Sequence, residues 1–229
     1  MNRTRRLLTA GAALVLASAG YTAYSALGPT IAAGSDGPAD GAGSAGKVLY
    51  LTFDDGPGDE TMEVLDVLRE HDAKAVFFAL GQNLAANTDL GRRIVAEGHV
   101  LANHTWTHED LTGLDANGRE HELGHTSDLL DSLGSDSPCV RPPYGSTDDD
   151  VARDLTARGM SQVLWNIDTE DWTRPGAAVI ADRLMQAGSG DVVLMHDGGS
   201  DRTQTVEALR QALPRLAAEG YSFDVVPGC

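Results

Sequence analysis

Positive charge is scarce in this chain. Across 229 residues there are 17 Lys and Arg against 34 Asp and Glu, a formal net charge of −17. A surface so acidic repels a phosphate backbone, which excludes nucleic acid as an expected partner. It is compatible with neutral glycans and would attract a polymer bearing free amines. Cysteine is nearly absent too, with 2 residues, Cys139 and Cys229. Neither lies near the apolar N-terminal stretch, so a lipoprotein anchor has no attachment point. Internal repeats are absent, and no added carbohydrate-binding module is visible, which favours short or accessible glycan chains.

What the N-terminus does contain is an export pattern. Arg3, Arg5 and Arg6 precede an uncharged stretch over residues 7–27, rich in Ala, Leu and Val, with Ala17-Ser18-Ala19 as one candidate cleavage site. The stretch is also long enough for an uncleaved membrane anchor. Residues 1–30 are therefore expected to be a signal peptide or anchor, and residues 31–46, small and Gly/Ala/Ser-rich, a flexible linker. The protein is expected outside the cytoplasm, secreted or in the cell envelope, touching a membrane only through the N-terminal segment if that is uncleaved. In an oxidising compartment two cysteines suggest one disulfide, Cys139 to Cys229. Closing a loop of that length would stabilise by about 4 kcal/mol on the chain-entropy account.

Residues 47–229 form the expected catalytic domain. Strand-like runs at 48–53, 75–79, 99–103, 139–141, 160–165, 192–195 and 221–226 alternate with helix-like runs at 61–70, 90–97, 119–133, 149–158, 178–186 and 205–219. In the first helix Met62, Leu65 and Leu68 read as one apolar face. Gly98, Gly159 and Gly220 follow helices, where a left-handed cap residue belongs. Such alternation implies an α/β fold with a parallel sheet: an irregular seven-unit barrel or an open doubly wound sheet. In either, functional groups gather just after the strands.

The polar clusters sit there. The first strand runs into Asp54-Asp55-Gly56-Pro57, where a turn can bring two adjacent carboxylates to one pocket, one to bind a metal and one to take a proton. The third ends in His104-Thr105-Trp106-Thr107-His108; histidines four apart fit one face of a helical turn and one ion. The fourth delivers Arg141-Pro142-Pro143-Tyr144-Gly145, backbone stiff enough to present an oxyanion-binding N–H. The fifth ends in an acidic and aromatic run, Trp165 to Trp172. The sixth ends in Leu194-Met195-His196-Asp197-Gly198, and the histidine after that strand is a candidate acid or base. A second pair, His121-Glu122-Leu123-Gly124-His125, spells the zinc-protease pattern. Gly124 weakens a ligand-bearing helix, and the run lies away from the strand ends, so a polar solvated helix face is the favoured reading there.

Residues 52–57, 104–108, 141–145, 168–172 and 194–196 resemble, in order, the five signature motifs of the NodB-type polysaccharide deacetylases, carbohydrate esterase family four. The resemblance spans about residues 48–226 and implies the irregular (β/α)7 barrel. It implies that Asp54 is the general base and that Asp55, His104 and His108 ligate a divalent metal, zinc by default with cobalt as an alternative. Arg141 would orient the base, and the Tyr144 N–H would hold the oxyanion. His196 would be the general acid, oriented by Asp171, while Trp172 lines the groove and Leu194 the acetyl-methyl pocket. The reaction implied is removal of acetyl groups from N-acetylated polysaccharide; separately, the protein is expected to be a monomer. An O-acetyl xylan esterase using the same site and a non-catalytic glycan-binding module are the competing readings.

Overall fold

The computed structural model describes residues 46–229; the export segment and most of the linker lie outside the described residues. Eight strands form one sheet: β1 (Lys47–Asp54), β2 (Ala75–Ala79), β3 (Val100–Asn103), β4 (Cys139–Val140), β5 (Ser161–Gln162), β6 (Ile167–Asp168), β7 (Val192–His196) and β8 (Tyr221–Phe223). Every pairing is parallel, in the order β5-β4-β3-β2-β1-β7-β6, with β8 added beside the start of β1. Among the described residues seven α-helices connect them: α1 (Thr61–Glu70), α2 (Gly81–Ala86), α3 (Thr88–Ala96), α4 (Ala116–Ser132), α5 (Asp149–Ala157), α6 (Ala177–Leu184) and α7 (Thr203–Ala218).

Strand alternation sorts the core. On β1, Leu49, Leu51 and Phe53 point toward the helices and join the main cluster with Phe77, Val193, Met195 and the inner faces of α1, α6 and α7. Tyr50 points the other way, into a smaller cluster with Val76, Phe78, Ala102, Cys139 and Val226 on the concave side of the sheet. Cys139, first residue of β4, is joined to Cys229 (Sγ–Sγ 2.11 Å), which ties the C-terminus to the sheet. A third cluster, Leu111, Leu123, Val140, Val151 and Leu155, packs under α4 and α5.

Three differences from the sequence expectation have physical reasons. Residues 160–165 are not one strand running into a polar end: only Ser161–Gln162 of that run is strand, as β5. The chain leaves β5 on one edge of the sheet and rejoins at β6 on the other, paired to β7, so residues 163–166 cross the open side. Val163 still donates to the Val140 carbonyl, and the carbonyls of Val163 and Leu164 accept from the Arg141 side chain (3.1 and 3.3 Å), so backbone that has no neighbouring strand is satisfied by a side chain. Met62 is half exposed (50 %), because the buried face of α1 is Thr61, Val64, Leu65, Val67 and Leu68, and Met62 lies to one side of it. Helix α2, short and opening on a glycine, precedes the helix read from residue 90. Gly98, Gly159 and Gly220 have φ of 78°, 70° and 86°, the left-handed conformation expected after a helix.

Candidate active site and metal centre

Five strand ends bring the expected residues to one rim. Asp54 closes β1 and is the register partner of His196, which closes β7. Asp54 points to the concave side. Asp55 follows with φ 69°, and this left-handed backbone turns its carboxylate to the same side, where adjacent residues of a continuing strand would diverge. Gly56 and Gly198 let the β1 and β7 loops touch: a Cβ built on Gly56 would lie 2.2 Å from Asp197 Oδ2, and one on Gly198 2.2 Å from the Asp55 carbonyl oxygen. Asp197 is wholly buried there, its Oδ2 accepting from the Thr61 hydroxyl at 2.6 Å, and burial pushes its carboxyl up to about 7.

His104 follows β3 and is buried. Its Nδ1 lies 2.6 Å from the Arg141 carbonyl oxygen, which can only accept, so Nδ1 carries the proton and Nε2 presents its lone pair to the site. His104 Nε2 and His108 Nε2 stand 3.5 and 3.4 Å from Asp55 Oδ1, and one ligand atom from each residue lies within 4.8 Å of the others. The segment between the histidines is not the helical turn their spacing suggests. Thr105 and His108 have φ of 71° and 72°, and the ring centroids are 5.0 Å apart.

The three residues fit a divalent cation on grounds other than spacing. Asp55 Oδ1 is buried and has no hydrogen-bond partner, a costly state that a cation would relieve. Burial works against ionising Asp55, and in the absence of a cation only protonated imidazoles, His104 first, outweigh it and hold the carboxyl down at about 2, a positive charge that a bound cation would supply in their place. Burial also holds His108 below the ordinary imidazole value, favouring the neutral form that ligates.

Arg141, fully buried, spans the open side of the sheet. Its guanidinium lies over the Phe78 ring (4.2 Å to the centroid), and Nη1 donates to Asp54 Oδ1 at 2.7 Å and to Thr52 Oγ1 at 2.8 Å. Deleting either charge would strand the other in the interior, at about 3–5 kcal/mol. On β7, His196 Nδ1 is 2.7 Å from Asp171 Oδ1, while Asp171 Oδ2 accepts from the His196 N–H at 2.9 Å and the Thr205 hydroxyl at 2.8 Å. Burial lowers the His196 pKa, but the Asp171 bond and charge overcome this and raise it above the ordinary value. Tyr144 has φ 60° and is exposed, its ring 4.6 Å from that of His108. Among the described residues its N–H makes no hydrogen bond. Leu194 is buried, two residues before His196 and on the same side of β7, whereas Trp172 stands 55 % exposed in the turn opened by Asp171. Asp168 accepts from the Glu170 N–H at 2.7 Å, a local turn contact.

Thr52, which fixes Arg141, opens the 52–57 motif but was given no role there, and Thr205, which fixes Asp171, lies outside every motif. In the His121–His125 stretch both histidines are exposed on α4, as a solvated helix face requires, but Glu122 departs from that reading. Glu122 is neither a solvated helix residue nor a protease base: it is buried, and its carboxylate accepts from the N–H groups of Trp106 and Thr107 at 2.9 and 2.8 Å and from the Thr107 hydroxyl at 2.8 Å.

Comparison with known proteins agrees with this geometry. The model of the family described as "Polysaccharide deacetylase" matches residues 42–163. A chitooligosaccharide deacetylase of Rhizobium leguminosarum bv. trifolii is 40% identical over 210 residues, covering 84% of this chain and 96% of the relative. Among solved structures, the peptidoglycan deacetylase PdaC from Bacillus subtilis superposes with a TM-score of 0.74 at 33% identity, over 80% of this chain and 89% of that one. A CE4 family pseudoenzyme from Bacillus anthracis shares the fold as well (TM-score 0.73, 29% identity, 80% of this chain and 64% of that one). With its parallel (β/α)7-type half-barrel and the match over more than half its length, this chain belongs to the polysaccharide deacetylase family.

Proposed function

We infer that this chain hydrolyses N-acetyl groups of a GlcNAc-containing polysaccharide, of the peptidoglycan or chitin type, and releases acetate. The observation that carries this reading is the buried, unpartnered Asp55 Oδ1 facing two imidazole Nε2 atoms beside the Arg141-paired Asp54. A pseudoenzyme has this fold too, so the fold alone does not argue for turnover; the complete set of base, acid and ligands does. The names of the two deacetylase relatives support both glycan types. That one of them acts on peptidoglycan also supports a site of action outside the cytoplasm, in line with the export pattern of residues 1–30.

Asp55, His104 and His108 would hold the cation, zinc being the best match to two imidazoles and a carboxylate. Bound there, a divalent cation supplies Lewis acidity to the acetyl carbonyl and makes water acidic near neutral pH. Asp54 takes the proton of the attacking water, held in place by Arg141. The free Tyr144 N–H donates to the oxygen that becomes negative. His196, kept protonated by Asp171, gives its proton to the departing amine. Leu194 packs on the acetyl methyl group, and the exposed Trp172 ring lines the sugar groove.

The test is acetate release from peptidoglycan, chitopentaose and acetylxylan side by side, before and after exhaustive chelation and zinc replacement. Acetate from an N-acetylated substrate, lost on chelation and regained with zinc, is the expected result. Full activity in protein verified to be metal-free overturns the reading, and release from acetylxylan alone replaces it with O-acetyl ester hydrolysis.

A further inference from the structure

The loop that carries both histidines is held in an unfavourable shape. Thr105, a β-branched residue, and His108 both have positive φ (71° and 72°). Such conformations persist only where their surroundings over-determine them. Here four successive backbone N–H groups, from Thr105 to His108, each find an acceptor. Asn103 Oδ1 takes the first at 2.8 Å, Glu122 Oε2 takes the second and third, and Thr105 Oγ1 takes the fourth at 3.1 Å. Consecutive N–H groups curled in this way form a concavity that suits an anion. In this chain the anion is internal: the Glu122 carboxylate, projected from the middle of α4 and 4 % exposed. Its other oxygen receives the Thr107 hydroxyl. Helix α4 is itself locked to the same loop, because Asn103 Nδ2 donates to the Leu123 carbonyl at 2.9 Å and to Ser127 Oγ at 3.0 Å.

We propose that Glu122 is a positioning residue of the metal centre, its carboxylate fixing the backbone between His104 and His108 so that both Nε2 atoms converge on Asp55. It touches neither substrate nor cation. Without it, the Trp106 and Thr107 N–H groups lose their acceptor. The left-handed residues on either side are then free to relax, and the imidazoles drift from a common point. The inference rests on the metal reading of Asp55, His104 and His108.

Side-chain reach decides the expected ranking. Gln can put its oxygen where Oε2 lies, accept both N–H groups, and let the Thr107 hydroxyl turn to accept from its amide. Asp keeps the charge but is one methylene too short to bridge both. Zinc affinity of metal-stripped protein, measured by competition with a chromophoric chelator, should therefore fall in the order wild type, Glu122→Gln, then Glu122→Asp and Glu122→Ala. The last two should lose about 10–100-fold, the usual effect of removing a partner that orients ligands, and Gln less than about tenfold. The kcat should fall with them while KM stays close to wild type. Leu130→Ala, on the same helix but in the main core, is the control for mere destabilisation: it should lower Tm and leave zinc affinity unchanged. Equal affinity in all four proteins, or an Asp variant that matches wild type, overturns the proposal, and the Asp and Gln variants decide it even if Ala does not fold. Wild-type protein that binds no zinc would sink the metal reading itself; wild-type binding with unaffected variants sinks only this inference.

Discussion

Two pairs of histidines four residues apart lie within 22 positions of each other, and among the described residues one of the two meets a third donor with which it could hold an ion. His121 and His125 are the closer pair by ring separation, 4.4 Å against 5.0 Å for His104 and His108. Proximity therefore does not separate them. The helical pair lies along α4, with the Trp106 ring 6.1 Å from His125. The carboxylate beside it, Glu122, comes within 3.6 Å of His121, but its oxygens are already taken by Trp106 and Thr107. The loop pair receives a third donor from a different strand, Asp55, whose oxygen has no other partner. Either geometry can aim two imidazoles at one ion, but among the described residues only the loop pair is met by a third donor, and something must turn those rings toward Asp55. Two left-handed residues in a loop do so, at a conformational cost that Glu122 and Asn103 offset.

The comparison is sharpest at Asp54, the proposed base, which lies 3.7 Å from His104 Nε2 and has no counterpart among the contacts described for the helical pair. Asp54→Asn keeps the shape but removes the proton acceptor and also the charge that balances buried Arg141, so it lowers stability by about 3–5 kcal/mol and its activity and zinc content are read on the folded protein. Deacetylation should fall by about 10²–10⁴-fold, the scale of proton-transfer catalysis, with zinc content unchanged by metal analysis. A loss smaller than tenfold would mean that Asp54 is not the base, and the contrast between the pairs would shrink to metal binding alone.

The next effect in size belongs to the His196–Asp171 pair. The folded pKa of His196 is raised, so the protonated acid survives above the ordinary imidazole value, and activity falls as pH rises through the raised value. In Asp171→Asn, burial acts against the cation without its main compensation. The alkaline limb of the kcat profile should move to lower pH by about one unit or more, and kcat at neutral pH should drop by about tenfold. For stability, the His196 contribution is complete below the unfolded value of about 6.5 and is lost as pH rises through the folded one. The lowered Asp171 pKa adds stability above about 3.9 that is lost as pH falls through its folded value. An alkaline limb that stays in place in the Asn variant would assign it to another group.

Much of the rim was readable because apolar strands ending in polar clusters are a local pattern. Asp54, Asp55, His104, His108, Arg141 and His196 all stand at the ends of strands expected from residue type and alternation. What escaped was whatever depended on distant chain. Strand β6 is two residues long, and it is a strand only because β7 runs beside it. Glu122 and Thr126 were hidden because the buried face of α4 carries these two polar residues beside Leu123 and Leu130, a pattern that reads as solvated unless the loop they meet is known. Thr52 and Thr205 were missed for the same reason: each serves a charge contributed by a different strand or turn.

The smallest expected effect is also the one that separates spacing from site most directly. Replacing both His121 and His125 by alanine removes the two rings of the zinc-protease pattern and leaves Glu122 in place. Glu122 draws its order from Trp106 and Thr107, not from the imidazoles beside it, and Asp55, His104 and His108 make none of the contacts being removed. His121 is exposed, with a side-chain accessibility of 54%, so its loss uncovers little apolar surface; alanine is the better helix former at both positions. Zinc content should therefore stay at the wild-type value, and kcat/KM for deacetylation should stay within about twofold, because substitutions clear of such features change free energies by only about 0.5 kcal/mol. Loss of half or more of the bound zinc in the double variant would give the helical pair an ion of its own, and the distinction between a loop that converges and a helix that merely aligns would fail.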